Sequence, residues 1–172
     1  MLVEFRQICY CMNMNKAVFP GSFDPPTLGH LNIIERACSI FDEIDVVVAV
    51  NPEKHYLFSA DERVEMLTEL TKKFTNVKIH VWNSLIVDYA RINGASILLR
   101  GIRNATDFAY EFDLSLINHS LNNKIDTIFI PCEQKYVLIK SSTIKELAKF
   151  GGDISQMVPD LVAEKLREKL KN

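Results

Sequence analysis

Ser22, Thr27, Gly29 and His30 lie close together in the segment F-P-G-S-F-D-P-P-T-L-G-H (19–30). Hydroxyls, a position without Cβ and an imidazole suit a site that grips a polyphosphate. The apolar run before the segment and the spacing of Leu31, Ile34, Cys38 and Phe41 after it predict a strand, a tight loop and a helix opening at Thr27. A helix start offers unpaired backbone N–H groups and the positive end of the dipole, both favourable to phosphate. Gly21 and Gly29 would let a ligand or a neighbouring chain come close. Thr27 and His30, three apart, share a helix face. Asp24, Pro25 and Pro26 read as turn chemistry.

Further polar groups each follow a short apolar run. They are Asn51, Lys54 and His55; Asn83 and Ser84; Arg100-Gly101-Ile102-Arg103; and Lys135, Tyr136 and Lys140-Ser141-Ser142-Thr143. Open parallel sheets bind ligands at the carboxyl ends of their strands. The placement therefore predicts that Lys54, Arg100, Arg103 and two helix starts converge on one edge, around an anionic ligand.

Each residue also has a plainer reading. His30 could be a helix histidine without a role, Ser22 a turn residue, and Ser141 to Thr143 a cap that uses the same N–H groups as a phosphate site. Arg100 and Arg103 could pair with Asp107 and Glu111. The T-L-G before His30 and the glycine between two phosphate-suited arginine forks favour the binding reading. For Lys54 the two readings are balanced. His55, His80 and His119 read as structural or surface residues, and Trp82 as core.

The elements that must position these groups alternate. Strands are expected at 16–20, 44–50, 77–82, 96–99 and 127–131, and helices at 28–41, 60–74, 85–93, 107–121, 142–150 and 160–170. Ser59 with Glu62 fits a capping box, and Gly94 and Gly151 sit where helices should stop. D-V-V-V-A-V (45–50) is nearly continuously apolar, as in a strand covered on both faces. The pattern predicts an α/β fold with a doubly wound, parallel, five-stranded sheet. Residues 1–13 read as an N-terminal extension and 14–172 as a single domain. The stripe Val162, Leu166 and Leu170 could pack within the subunit or at an interface.

Composition narrows the class. The 172 residues are 48% hydrophobic and 24% charged, with a net charge of -2 that gives no support for nucleic-acid or membrane-surface binding. No apolar run approaches the ~20 residues of a membrane span. The first residues, interrupted by Glu4, Arg6 and Gln7, make a poor signal peptide. Cys9, Cys11, Cys38 and Cys132 lack disulfide or zinc spacing, which predicts a cytoplasmic protein. Cys38 reads as core. There is no G-x-x-x-x-G-K-S/T or G-x-G-x-x-G, no dense acidic or histidine cluster for a protein-held metal, and no nucleophile elbow.

The segment G-S-F-D-P-P-T-L-G-H (21–30) resembles the T-x-G-H loop of the adenylyl- and cytidylyltransferase superfamily. The blocks L-L-R-G-I-R-N-A-T-D-F-A-Y-E (98–111) and I-K-S-S-T-I-K-E-L (139–147) are similar to those of the bacterial phosphopantetheine adenylyltransferases, from about residue 16 to the last helix. The resemblance implies a Rossmann-like nucleotidyltransferase fold and transfer of the adenylyl group of ATP to 4′-phosphopantetheine, giving dephospho-coenzyme A and pyrophosphate. It implies His30 as transition-state stabiliser, with Lys54 and Arg103 also catalytic. Ser22, Lys54, Ile86 and Arg100 would bind phosphopantetheine. Ser22, Phe23, His30, Gly101, Ile102, Arg103, Glu111, Tyr136, Val137, Leu138, Ile139, Lys140, Ser141 and Ser142 would bind ATP. It further implies Mg²⁺ held mainly by phosphates and water, coenzyme A as a candidate feedback inhibitor, and a homohexamer. Lys140 departs from the family, which often has a small hydroxyl residue there, and Ser22 stands where threonine is common.

Overall fold

A computed structural model describes residues 15–171; the expected extension at 1–13, with Cys9 and Cys11, lies outside the described residues. Five parallel strands form one sheet in the order β3-β2-β1-β4-β5. They are β1 (Lys16–Gly21), β2 (Glu43–Ala49), β3 (Val77–Trp82), β4 (Ile97–Ile102) and β5 (Asp126–Pro131). The helices are α1 (Leu28–Cys38), α2 (Ala60–Thr71), α3 (Ile86–Ile92), α4 (Ala105–Leu121), α5 (Ser141–Lys149) and α6 (Asp160–Leu170), with a 3-10 turn at Gln134–Tyr136.

Alternate strand residues feed two cores. Ala17, Phe19, Ile44, Val46, Val48 and Leu99 pack with Ile33, Ile34 and Ala37 of α1 and Leu67 of α2 on one face. Val18, Val47 and Leu98 pack with Val87, Tyr89 and Ala90 of α3 on the other. Covering both faces is what lets a parallel sheet be apolar throughout. A third cluster joins Met66 of α2, Ile144 of α5, and Val162, Ala163 and Leu166 of α6. Val162 and Leu166 of the last stripe thus pack inside the subunit.

The sheet divides at its centre. The strand order reverses between β1 and β4, the place where such sheets open a ligand crevice. There β1 and β4 pair only at Ala17↔Ile97 and Val18↔Leu98, whereas β1 stays with β2 through Gly21↔Val48 and β4 with β5 through Ile102↔Pro131. Pro20 has no N–H to give, and its carbonyl accepts instead from Arg100 Nη1 at 2.9 Å. A side chain takes over where the ladder ends, and the two strand ends part.

Four boundaries correct the sequence reading: α1 and α2 each end three residues early, at Cys38 and Thr71, and two others bear on the cleft. β4 runs to Ile102 instead of ending at 99, because its pairing with β5 continues through the polar residues. Arg100, Gly101 and Ile102 therefore sit on a strand, not in the loop after it. α4 starts at Ala105, two residues early, because the Asn104 side chain caps it by accepting from Asp107 N at 2.9 Å.

Candidate active site

A cleft of about 540 Å³ lies over the divided strand ends, lined by residues from β1, the 22–27 loop, α1, the 50–59 loop, β4, α4 and α5. Lys54, Arg100, Arg103, Lys140 and Lys145 line it against two carboxylates, Asp24 and Glu111. A chain of net charge -2 therefore carries a concentrated positive site, which focuses anions there.

The α1 end is built around His30. Thr27 is its N-cap, accepting from His30 N at 3.3 Å, while Thr27 N–H donates to His30 Nδ1 at 3.1 Å. An Nδ1 that accepts carries no proton, so the neutral ring bears its proton on Nε2. Burial, then the charges of Arg103 and Arg100, lower the His30 pKa to about 4, so the ring is neutral at pH 7. The Phe23 ring lies edge-on to His30, centroids 5.0 Å apart. A Cβ on Gly21 would meet that ring at 2.8 Å, so glycine is what allows Phe23 to fold under the loop.

The free N–H groups expected at α1 are largely taken. The Thr27 hydroxyl holds His30 N, and Leu28 N donates to Met157 O at 3.0 Å. The α5 end is different. Its N-cap, Lys140, makes no side-chain cap bond, and among the described residues no group accepts from the N–H of Ser141, Ser142 or Thr143. Ser141 Oγ donates to Pro25 O at 2.9 Å, tying α5 to the α1 loop.

The two arginines unite the readings that the sequence left opposed. Arg100 forks onto Glu111, with Nε to Oε2 at 2.6 Å and Nη2 to Oε1. Arg103 forks onto Asp107 at 2.7 and 3.2 Å and donates to Ile139 O at 3.1 Å. Both structural ion pairs therefore exist. Each guanidinium still has N–H donors to spare, and the carboxylates fix the forks in place. Gly101 between them would set a Cβ 3.1 Å from Ile33, so its close approach is to α1.

Most expected site residues gather here: Ser22, Phe23, His30, Lys54, Arg100, Gly101, Arg103, Glu111, Tyr136, Ile139, Lys140, Ser141 and Ser142 line the cleft. Ile86, Ile102, Val137 and Leu138 are not among its lining residues. Ile86 packs against the α3 core, Ile102 is buried, and Leu138 points to solvent, 87% exposed. His55, read as surface, is exposed yet lines the cleft. His80 lies 3.5 Å from Asp45, His119 meets the Ile125 carbonyl at 3.1 Å, and Trp82, expected in the core, is only partly buried and packs against the edge of the α3 core on Tyr89.

Sequence reading missed two charged groups. Asp24, taken for a turn residue, is buried at 4% exposure and accepts from Leu57 N at 3.0 Å, Phe58 N at 2.9 Å and Lys145 Nζ at 2.6 Å. Lys145 follows Ser141 and Ser142 at helical spacing, which could have placed it on their face. Nothing local marked Asp24.

Residues 18–147 match the cytidylyltransferase-like family. A phosphopantetheine adenylyltransferase of Caldanaerobacter subterraneus subsp. tengcongensis is 47% identical over 158 residues, covering 92% of this chain and 99% of its own. The Treponema pallidum (strain Nichols) enzyme of the same name is 47% identical over 90% of this chain and 97% of its own. The chain belongs to the phosphopantetheine adenylyltransferase family. It is an adenylyltransferase, and the cleft just described is the candidate active site of this family member. The fold agrees with a Vibrio parahaemolyticus structure provisionally named nicotinate-nucleotide adenylyltransferase, at TM-score 0.62 and 21% identity, covering 90% of this chain and 99% of that one.

Proposed function

We propose that this chain transfers the adenylyl group of ATP to 4′-phosphopantetheine, releasing pyrophosphate and forming dephospho-coenzyme A. The observation that carries the site assignment is the convergence of neutral His30, Lys54, two oriented arginines and the open α5 start on one cleft. A phosphopantetheine phosphate oxygen attacks the α-phosphorus of ATP in line. The new O–P bond forms as the bond from the α-phosphorus to the oxygen bridging to the β-phosphate breaks, and that oxygen leaves with pyrophosphate. The nucleophile is already anionic, so no general base is needed. Catalysis rests on holding two anions together and meeting charge that develops on the α-phosphate and the leaving group. His30 serves as a neutral Nε2–H donor. Lys54 and Arg100 hold the acceptor phosphate, and Arg103, Lys140 and the N–H groups of 141–143 hold the triphosphate.

Mg²⁺ fits this site as part of the ATP complex. The cleft's carboxylates, Asp24 and Glu111, are each tied to a cation, and no group of three His, Cys, Asp or Glu gathers among the described residues. The donor set leaves the metal to phosphate oxygens and water, where it would offset their charge.

A cytoplasmic location is supported by the free thiols of Cys38 and Cys132; among the described residues no helix is long and apolar enough to cross a membrane. The proposed homohexamer is supported by α4, a helix of 17 residues with none buried, which exposes Phe108, Phe112, Leu116, Ile117 and Leu121. Such a face needs a partner, and light scattering should give a six-copy mass. Coenzyme A contains the whole product framework, so a cleft shaped for product would accept it as an inhibitor.

The deciding assay mixes the chain with ATP, Mg²⁺ and 4′-phosphopantetheine and measures pyrophosphate, with nicotinamide mononucleotide and glycerol 3-phosphate as parallel acceptors. Release with phosphopantetheine alone is expected. Release with another acceptor, or none, overturns the reading.

A further inference from the structure

Arg63 of α2 is 1% exposed. A buried cation is costly unless paired, yet among the described residues this guanidinium meets carbonyls and a ring. Nη1 donates to Ser22 O at 2.7 Å, Nε donates to Ser59 O at 3.1 Å, and the guanidinium lies 4.2 Å from the centre of the Tyr56 ring. Tyr56 continues the connection. Its hydroxyl accepts from Asn51 N at 2.9 Å, and Asn51 O accepts from Lys54 N at 3.0 Å. Ser22 and Lys54 are both exposed on the cleft and stand on separate loops that follow different strands.

We propose that Arg63 is a positioning residue that holds the Ser22 loop and the Lys54 loop in register across the mouth of the cleft. The guanidinium grips the backbone of one loop and stacks on the aromatic residue that pins the first turn of the other. A planar fork does both at once, which an ammonium cannot. Asp24 makes a second tie between the same loops through Leu57 N and Phe58 N, at the far end of the 50–59 segment. Arg63 therefore governs the end that carries Lys54. Of the groups assigned to ATP, Arg63 is bonded only to the Ser22 carbonyl, and Ser22 serves the acceptor side too; α5 and Arg103, which hold the triphosphate, have no bond to it.

The test is a double-mutant cycle with steady-state constants for both substrates in Arg63→Lys, Lys54→Ala, the double variant and Tyr56→Phe. Arg63→Lys should raise the KM of the substrate that Lys54→Ala affects by about tenfold, as loss of alignment does. The other KM should stay within about twofold, and in the Lys54→Ala background the Arg63 change should add less than about twofold, the mark of coupled sites. Equal effects on both substrates, effects that multiply in the double variant, or normal kinetics in a folded Arg63→Lys would overturn the proposal. Should Arg63→Lys fail to fold, Tyr56→Phe decides: it keeps the ring and drops the hydroxyl, and unchanged constants overturn the idea. The inference rests on the adenylyl-transfer reading. If the wild-type chain releases no pyrophosphate, that reading fails first, and the same cycle is run on calorimetric Kd values for ATP and phosphopantetheine.

Discussion

The two helix starts at the cleft are built in opposite ways. α1 spends two of its first three N–H groups inside the protein, with Thr27 capping His30 N and the Met157 carbonyl taking Leu28 N, and leaves only that of Gly29 without an acceptor among the described residues. What it offers the cleft is a side chain, His30, held in one tautomer by the cap itself. α5 has no side-chain cap, and it offers backbone. A capped helix end is a rigid mount for a catalytic group, whereas an uncapped end is an anion site waiting for its ligand. The pairing suits an enzyme that must steady one reacting centre and hold a long polyanion beside it.

The largest effect should come from α1. His30→Ala should lower kcat by at least about 100-fold, since it removes a preorganised donor, while circular dichroism shows the fold intact. Near wild-type turnover would mean that α1 is only a structural end. Next come the cations facing the acceptor. Lys54→Ala and Arg100→Ala should each raise the phosphopantetheine KM by about tenfold or more, the scale of a lost charged hydrogen bond. A loss confined to ATP would show that the two subsites are exchanged. Arg100→Ala should also lower thermal stability, because it leaves Glu111 half-buried and unpaired and frees the Pro20 carbonyl.

The backbone contribution of α5 can be isolated at its first residue. Ser141→Ala removes the hydroxyl that reaches Pro25 O. Ser141→Pro removes the N–H as well, at a helix position that tolerates proline, after an extended residue with φ -126° and ψ 134°. Calorimetry should find ATP binding about tenfold weaker in the proline variant than in the alanine variant. Equal affinities would mean that the α5 start is as closed as that of α1.

The alternation of elements was legible because each apolar run is short and each helix has its own period. The end of β4 was not, because Arg100 and Gly101 face a cleft and read as loop. The state of the two helix starts could not be read locally either. Thr27 announces a cap, but Met157 arrives from far along the chain, and the absence of a cap at Lys140 looks in sequence like a run of good capping residues. Asp24 and Lys145 lie 121 residues apart; only the fold makes them a pair. The structure leaves every apolar residue of α4 at least partly exposed, which the helical spacing at 107–121 does not by itself announce.

The smallest effect is in pH, and it bears on whether α1 holds a neutral ring. With the His30 pKa lowered to about 4 by burial and by Arg103 and Arg100, the folded chain resists a proton that the unfolded chain accepts near pH 6.5. The sign follows from linkage: the contribution is complete above about pH 6.5 and is lost as pH falls through the folded value. Wild type should therefore lose melting temperature relative to His30→Gln between pH 7 and pH 4.5, and the His30 ring signals should stay flat by NMR down to about pH 5. A ring that titrates near its ordinary value would mean that Thr27 does not hold Nδ1 as an acceptor. α1 would then present a cation to the cleft, its contribution would become charge like that of Lys54, and the contrast between the two helix ends would lose its basis.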